Sequence, residues 1–556
     1  MGTAESGRWH SSRESVPTNA QLERIAQLAS IDRAFHVGVA DARSASSALA
    51  ATERGDAIQS AHQPSMPRRA VRRLLRMFPR LGHTVSGGVR VVRRIFRRLS
   101  WRVTPWRLPA PVSRGGARVV VLTPTASARE ANRLLEGLGD NDLVVLVRPG
   151  ARVFQSTSAL FLDASQAHPE AALFYADSFT ATGAPCYRPA PSRLLLEQAD
   201  WLGPAIAVRA SAIRQLGGFP EVQPENRILA VALGVPESDW RLAPTPIGVA
   251  QLSAQLSADA AAEARELVRS RLGAEFIVEP MVFGQRSVRR VLDAQAKVSI
   301  IIPTRGTAGD VHGESRVFVT EAVRSIVELS SYTNYEVVVV ADDPTPQSVI
   351  TELETLLGER LRLVRWSAPF NFSEKMNLGA ALATGDLLLM LNDDVELATP
   401  DWLNSMVGLA SRDGVGAVGA LLFFEDLTLQ HAGHLYRGGA GHVGFGRPFT
   451  PKDPNTIYHL DREVSGVTGA CLLLPAELFW RVGGFSADFP GNYNDVDLCL
   501  KIRSLGLRIV CSGSARLFHF ESKSRDATVR PEDLRQLQRR WSADMTTDPF
   551  ARDPRA

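Results

Sequence analysis

The chain has 556 residues, 45% of them apolar and 22% charged, with a net charge of +4. That length exceeds the ~250–300 residues at which single cores stop growing, the composition is that of an ordinary globular protein, and no apolar run approaches the ~20 residues of a membrane-spanning helix. The thirteen arginines of residues 61–110, a stretch without Asp, Glu or Lys, outnumber the whole net charge, so the remainder is acidic and a fold-wide nucleic-acid surface is not indicated.

Residues 1–66 are polar and weakly patterned; the first twenty read as disordered, with room for a short helix within 20–52. The start, "MGTAESGRWHSSRES", has neither the apolar core of a signal peptide nor a convincing myristoylation context. In the Arg-rich segment 67–109, Val89, Val92, Phe96, Leu99 and Val103 recur at helical spacing. Arg90, Arg93, Arg94, Arg97 and Arg98 fill the other side, with Trp101 and Trp106 at the end. A basic amphipathic helix with terminal aromatics suits an anionic membrane surface, here through 67–107. The plainer alternative is a solvated helix on its own domain; nucleic acid is not expected as a partner.

Residues 117–250 alternate strand-like runs ("ARVVVLTP", "DLVVLV", "AALFYAD") with helical stretches, and 256–292 reads as a helical linker. A fresh unit, 297–530, opens with "KVSIIIPTRG", a continuous β-branched run of the parallel-strand type. Helical stretches and the runs "YEVVVVADD", "LRLVRWS" and "DLLLML" follow, which predicts an α/β sheet covered on both faces. Residues 531–556 read as a C-terminal tail. The cysteines Cys186, Cys471, Cys499 and Cys511 show no metal spacing and read as buried in a reducing compartment.

In such sheets ligands bind beyond the carboxyl ends of the strands, where Asp342, Asp343, Asn392, Asp393 and Asp394 fall. The run "LNDDVE" (391–396) ends a buried strand in two adjacent acids, which need a cation, hydrogen-bond donors or open water. Asp495 and Asp497 stand at a helix start, where the dipole favours carboxylates by ~0.3–1 kcal/mol, and His519 follows another strand-like run. Carboxylates with an imidazole favour Mg²⁺ or Mn²⁺ over a thiolate metal.

The ordered segments "VSIIIPT", "YEVVVVADD", "NFSEKMNLGAALATGDLLLMLNDDVE", "LQHAGHLYRGGAGH", "VTGACLLLP…GGF", "YNDVDLCLKIRSLG" and "FHFESKSR" resemble the inverting family 2 glycosyltransferases of the bacterial O-antigen and rhamnan type, over about 297–525. The resemblance implies a glycosyltransferase-A fold, a nucleotide-sugar donor and a lipid-linked cell-envelope glycan as acceptor, on the cytoplasmic face of the bacterial membrane. It implies Asp394, supported by Asp393 and His519, as metal ligands. Asp495 becomes the general base, with Asp497, Gly469 and Ala470 supporting the acceptor side. It places Pro303, Thr304, Asn377, Asn392 and Asp342 (or Asp343, one residue on) at the donor. His434 stands where such enzymes usually carry an aliphatic residue, and no role is assigned to it.

The N-terminal half echoes this unit. "DLVVLVRPGARV" (142–153) aligns without gaps on "DLLLMLNDDVEL" (386–397), and "WLGPAIAVRASAIRQLGGF" (201–219) on "VTGACLLLPAELFWRVGGF" (467–485). Asn392 then corresponds to Arg148, Asp394 to Gly150, Asp495 to Arg227 and Asp497 to Leu229. The expected architecture is a shortened, degenerate glycosyltransferase-A-like module, 117–250, ahead of a complete one. The first would act as scaffold, as holder of an acceptor glycan, or as the dock for a partner enzyme of polysaccharide assembly. Two rivals stand beside a glycosyltransferase: a non-catalytic sugar- or nucleotide-binding scaffold, and a nucleotidyltransferase. The latter would need a phosphate-cradling Gly/Lys loop, and "PTRGTAGDVHGES" has no lysine.

Overall fold

A computed structural model describes residues 14–34, 36, 112–114, 116–180, 183–243, 247–249, 256–292, 296–449, 457–520 and 529–551. The expectations for the first thirteen residues and for the Arg-rich segment 67–109 lie outside the described residues. Within the N-terminal region a helix spans 19–34.

The first module is built from β1 (Ala117–Leu122), α1 (Ala128–Glu136), β2 (Leu143–Val147), β3 (Leu173–Ala176), β4 (Ala205–Arg209), α2 (Ala210–Gln215), α3 (Arg227–Gly234) and β5 (Trp240–Ala243). Its sheet runs in the order β1-β2-β4-β3-β5, with the short strand Val112–Arg114 outside β1. Strands β2, β3 and β4 are buried along their whole length, because apolar clusters cover both faces of the sheet. Burial on both faces is also why these runs carry no polar alternation.

The linker departs from the sequence expectation. After α4 (Ala258–Leu272) the chain turns into an antiparallel hairpin, β6 (Phe276–Pro280) with β7 (Arg286–Arg290). Gly273, with a φ of 106°, ends the helix; Ile277, Val278 and Val288 suit strands, and Gly284 takes a left-handed φ of 72° in the turn between them.

In the second module the elements used below are β8 (Val298–Thr304), α5 (Phe318–Leu329), β9 (Tyr335–Asp342), α6 (Gln347–Leu357), β10 (Leu361–Trp366), α7 (Phe372–Leu382), β11 (Leu387–Leu391), β12 (Val415–Phe423), β13 (Cys471–Pro475), α8 (Ala476–Arg481), α9 (Asn494–Ser504) and β14 (Arg508–His519). The sheet order is β10-β9-β8-β11-β13-β12-β14. β8, β9, β10 and β11 are parallel and β13 is antiparallel to its neighbours. Each residue of β8 and β9 is buried, so their continuous Val/Ile runs reflect helices packed on both sides. Residues 531–541 are no tail: α10 (Pro531–Trp541) places a fully buried Trp541 against Val496 and Leu500 of α9.

Strands β8-β11-β13-β12-β14 repeat the order β1-β2-β4-β3-β5 with the same directions. The register repeats as well. Leu143 pairs with Arg209 and Val147 with Ala205, as Leu387 pairs with Pro475 and Leu391 with Cys471. The amide of Arg148 donates to Pro204 O (2.9 Å) and that of Asn392 to Ala470 O (3.1 Å). A side-chain clamp recurs too. Asn132 on α1 accepts from Phe219 N–H (2.7 Å) and donates to its carbonyl (3.3 Å), as Asn377 on α7 does with Phe485 (3.0 and 2.9 Å). What the second module has and the first lacks is the half made of β9 and β10 with their helices, and a hairpin (308–317) ahead of α5.

Candidate active site

The carboxyl ends of β8 and β11, the 468–470 loop ahead of β13 and the N-terminus of α9 converge on one cleft of ≈ 810 Å³. Of the site residues expected from sequence, Pro303, Thr304, Asn392, Asp393, Asp394, Gly469, Ala470, Asp495 and His519 line it.

On its floor, Asp393 Oδ2 accepts from Thr304 Oγ1 at 2.7 Å. Desolvation in the cleft and the neighbouring Asp394 charge both push the Asp393 carboxyl well above the usual range, against the pull of Thr304 and Lys375. Asp394 is 3% exposed, and its Oδ1 lies 3.2 Å from His519 Nε2. The tautomer of His519 follows from the other edge of the ring. Gln430 donates its Nε2–H to the His519 carbonyl (3.2 Å), which turns its Oε1 toward His519 Nδ1 at 2.6 Å. Nδ1 therefore carries the proton and Nε2 is left with a lone pair aimed at a carboxylate oxygen, with Asn392 Nδ2 also within 3.2 Å. Nε2 and the Asp394 oxygen, 3.2 Å apart, are close enough to serve as two ligands of one cation. Two carboxylates with one imidazole suit a hard divalent ion.

Across the cleft Asp495 opens α9. Tyr493, just before it, has a left-handed φ of 63°, a strained conformation for a bulky residue that swings the chain into the helix. Asp495 Oδ2 accepts from Gly469 N–H (2.9 Å) and Oδ1 from Val496 N–H (2.8 Å). A Cβ at Gly469 would stand 3.5 Å from Asp495 Cβ, an ordinary van der Waals contact, so it is the backbone N–H of this loop and not the lack of a side chain that serves Asp495.

Four expected residues have other surroundings. Asp342 ends β9, is 6% exposed and is held by Lys375 and by Arg305 Nε (3.0 Å); these two cations, not Asp342, reach the cleft wall. Asp343 is exposed. Asn377 is spent on the Phe485 clamp, a fold function, because Asn132 performs it equally in the module without acids. Asp497, two residues further along α9, points away from the cleft and is fully buried, bonded to Trp541 Nε1 (2.8 Å), Lys501 Nζ (3.4 Å) and Arg540 Nη1 (3.3 Å). The N-terminal helix completes this network: Asp32 Oδ1 lies 2.8 Å from Lys501 Nζ, beside His36. Asp32, His36 and Asp497 could surround a metal by distance, but Lys501 and Arg540 already neutralise the two acids.

Asp497→Ala would leave Lys501 buried without one of its two acids, and is expected to destabilise the protein by about 3–5 kcal/mol while leaving the acceptor KM of the folded fraction unchanged, measured by denaturant unfolding and kinetics. Burial alone would raise the Asp32 carboxyl, but His36, Lys501 and Ser486 hold it well below the usual range. Its contribution to stability is therefore present above the unfolded pKa of ~3.9 and is lost as pH falls below it.

Sequence reasoning missed Lys375, Arg305, Gln430, His431 and His442, all on the cleft wall. For Lys375 a signal existed, a lysine at a helix position that had to be buried (2% exposed). The histidines sit on short strands, 429–431 and 440–442, with no readable period.

Residues 299–483 match the family model described as Glycosyl transferase family 2. The chain is 32% identical over 444 residues to the O-antigen biosynthesis protein RfbC of Myxococcus xanthus, covering 75% of this chain and 34% of that protein. It is 30% identical over 151 residues to an N-acetylglucosaminyl-diphospho-decaprenol L-rhamnosyltransferase of Mycobacterium tuberculosis, covering 25% and 48%. It thus spans about a third to a half of the curated relatives it matches. A solved structure of GalNAc-T7 with UDP, GalNAc and Mn²⁺ is 15% identical, covers 46% of this chain and 49% of that one, and has a TM-score of 0.37. The mannosyltransferase PcManGT from Pyrobaculum calidifontis with GDP-Man and Mn²⁺ is 20% identical, covering 45% and 72%, with a TM-score of 0.31.

Proposed function

We propose that the chain, whose residues 299–483 are a family 2 glycosyltransferase domain, is a metal-dependent, inverting glycosyltransferase of glycosyltransferase-A fold that moves a sugar from a nucleotide-sugar donor to a lipid-linked cell-envelope glycan. The observation that carries this reading is the presence of Asp495 and the Asp393/Asp394/His519 set in one cleft, on different elements of the fold. Asp495, held by two N–H groups, takes the proton of the acceptor hydroxyl as that oxygen attacks the anomeric carbon from the face opposite the leaving diphosphate. Asp394, Asp393 and His519 would hold Mg²⁺ or Mn²⁺, which supplies neutralisation of the departing diphosphate. Lys375 and Arg305 add positive charge on the donor side of the cleft.

The acceptor class rests on the relative that acts on a decaprenol-linked sugar, and a peripheral seat on the inner face of the membrane rests on the Arg-rich segment 67–107. No helix among the described residues is long and apolar enough to cross a membrane. The test is a panel of nucleotide sugars with Mg²⁺ or Mn²⁺ and a synthetic polyprenyl-diphospho-N-acetylglucosamine acceptor, scored for nucleoside diphosphate release and product anomer. Donor binding without turnover of any of them would favour the non-catalytic scaffold.

The first module is read as a degenerate copy serving as scaffold. In support, Arg148 turns inward to Asp200 and to Gly203 O (3.2 Å). Arg227, at the position of the base, is 5% exposed and reaches Ala126 O in the loop after β1. The two arginines, at the positions of Asn392 and Asp495, are thus consumed inside the fold, a poorer match to a glycan-binding role than to a structural one. The module also meets the second through buried groups: Arg412 binds Glu197 (2.7 Å) and Gln198 donates to Asp461 O (2.7 Å). Arg227→Ala is expected to cost about 1–3 kcal/mol of stability by orphaning a buried carbonyl and to leave the acceptor KM unchanged. A raised acceptor KM at unchanged stability would instead assign Arg227 to the glycan.

A further inference from the structure

We propose that His434 is a positioning residue for the base: it presents one ring nitrogen to the Asp495 carboxylate, keeps that group ionised and turned toward the acceptor hydroxyl, and is held in a single tautomer by Tyr436. The inference rests on the reading of Asp495 as base.

His434 stands on a short strand, His434–Tyr436, in the cleft wall and is 3% exposed. Its Nε2 lies 3.8 Å from Asp495 Oδ2 and its Nδ1 3.3 Å from Tyr436 Oη. Tyr436 is fully buried, and burial pushes its phenol far up, so the hydroxyl keeps its proton. With that O–H donating to Nδ1, the imidazole proton falls on Nε2, facing the carboxylate. Burial, reinforced by His442, pushes the His434 imidazolium down against the pull of Asp495, so the ring is neutral and acts as an N–H donor. The 3.8 Å separation is longer than a hydrogen bond; such contacts commonly tighten when substrate binds.

The other groups facing His434 are committed elsewhere. His431 Nε2 accepts from Thr468 N–H (3.2 Å), so its Nδ1–H donates to His442 Nδ1 at 2.6 Å. The Asp548 carboxylate takes the amides of Tyr436, Phe550 and Ala551 (3.0, 2.9 and 2.9 Å). Cys499 is bonded to the Val467 carbonyl (3.5 Å). Each Asp495 oxygen, by contrast, has a lone pair beyond the one amide it accepts. Room for the pair comes from Gly466: a Cβ there would lie 2.6 Å from both His434 Nδ1 and Tyr436 Oη.

The test uses the full chain and needs no substrate. With aspartate labelled with ¹³C at the side-chain carboxyl, the Asp495 resonance is the one lost in Asp495→Asn. His434→Leu is expected to raise the apparent pKa of Asp495 by about one pH unit, the weight of a hydrogen bond to a charged group. His434→Gln, which keeps an N–H, should stay near wild type, and the volume-conserving Tyr436→Phe should fall between. With the nucleotide sugar of the panel that turns over, kcat should drop ~10-fold in His434→Leu with donor KM unchanged, the acid limb moving to higher pH. An Asp495 titration unmoved in both His434→Leu and Tyr436→Phe overturns the proposal; should His434→Leu fail to fold, Tyr436→Phe and His434→Gln decide it. Retained transfer in Asp495→Asn would fell the base assignment itself, whereas an inactive Asp495→Asn with an unmoved titration sinks the role of His434 alone.

Discussion

Asp495→Asn is expected to lower sugar transfer by ~10²–10⁴-fold, the usual weight of a general base, with donor KM and metal affinity within a few-fold of wild type. The amide oxygen can still accept from Gly469 N–H, as the carboxylate does at 2.9 Å, so the loop and the start of α9 should hold their places. What is lost is the ability to take a proton, because an amide stays unprotonated across the working range. The effect belongs in kcat, since the base acts on the hydroxyl only as the bond forms. Transfer by Asp495→Asn within a few-fold of wild type would mean that another group, or bulk water, accepts the proton.

The strand periods were legible because burial on both faces forces continuous apolar runs. "KVSIIIPT", "YEVVVVAD" and "DLLLML" are each a parallel strand, and the acids after the last of them, Asp393 and Asp394, fall at the cleft, whereas Asp342 and Asp343 after the second do not. The gapless internal alignments also held in space, down to equivalent backbone bonds at Arg148 and Asn392. What the sequence hid is direction. Asp495 and Asp497 are two apart on α9, about 200° around the helix, so one faces the cleft and the other the buried network with Lys501. The pattern "NDVDLCLK" alone does not say which. Asn377 is ambiguous in sequence for a related reason: a polar residue on a buried helix face can serve a ligand or the backbone, and the Phe485 clamp, repeated at Asn132, shows the backbone role. The linker hairpin escaped because its strands lean on β-branched residues amid many arginines, a pattern with no strong period.

Asp394→Ala is expected to weaken Mn²⁺ binding to the metal-free full chain by at least ~100-fold, measured by calorimetry with the metal alone, since it removes a ligand rather than a supporting group, whose loss costs ~10–100-fold. The geometry explains why this acid should matter more than its neighbour. Asp394 is buried and faces the lone pair of His519 at 3.2 Å, whereas Asp393 shares its charge with Thr304 at 2.7 Å. Asp393→Asn should therefore do less harm than Asp394→Ala, and Gln430→Leu should weaken binding by ~10-fold through loss of the bond that fixes the His519 tautomer. In turnover, EDTA should stop the wild type and leave little further to stop in Asp394→Ala, because the departing diphosphate would lack a counter-charge in both. Wild-type protein that binds no Mn²⁺ or Mg²⁺ by calorimetry and transfers sugar at full rate in EDTA would remove the metal from the reaction. The neutralising role would then pass to Lys375 and Arg305, with Lys375→Met as the variant that should lose transfer instead.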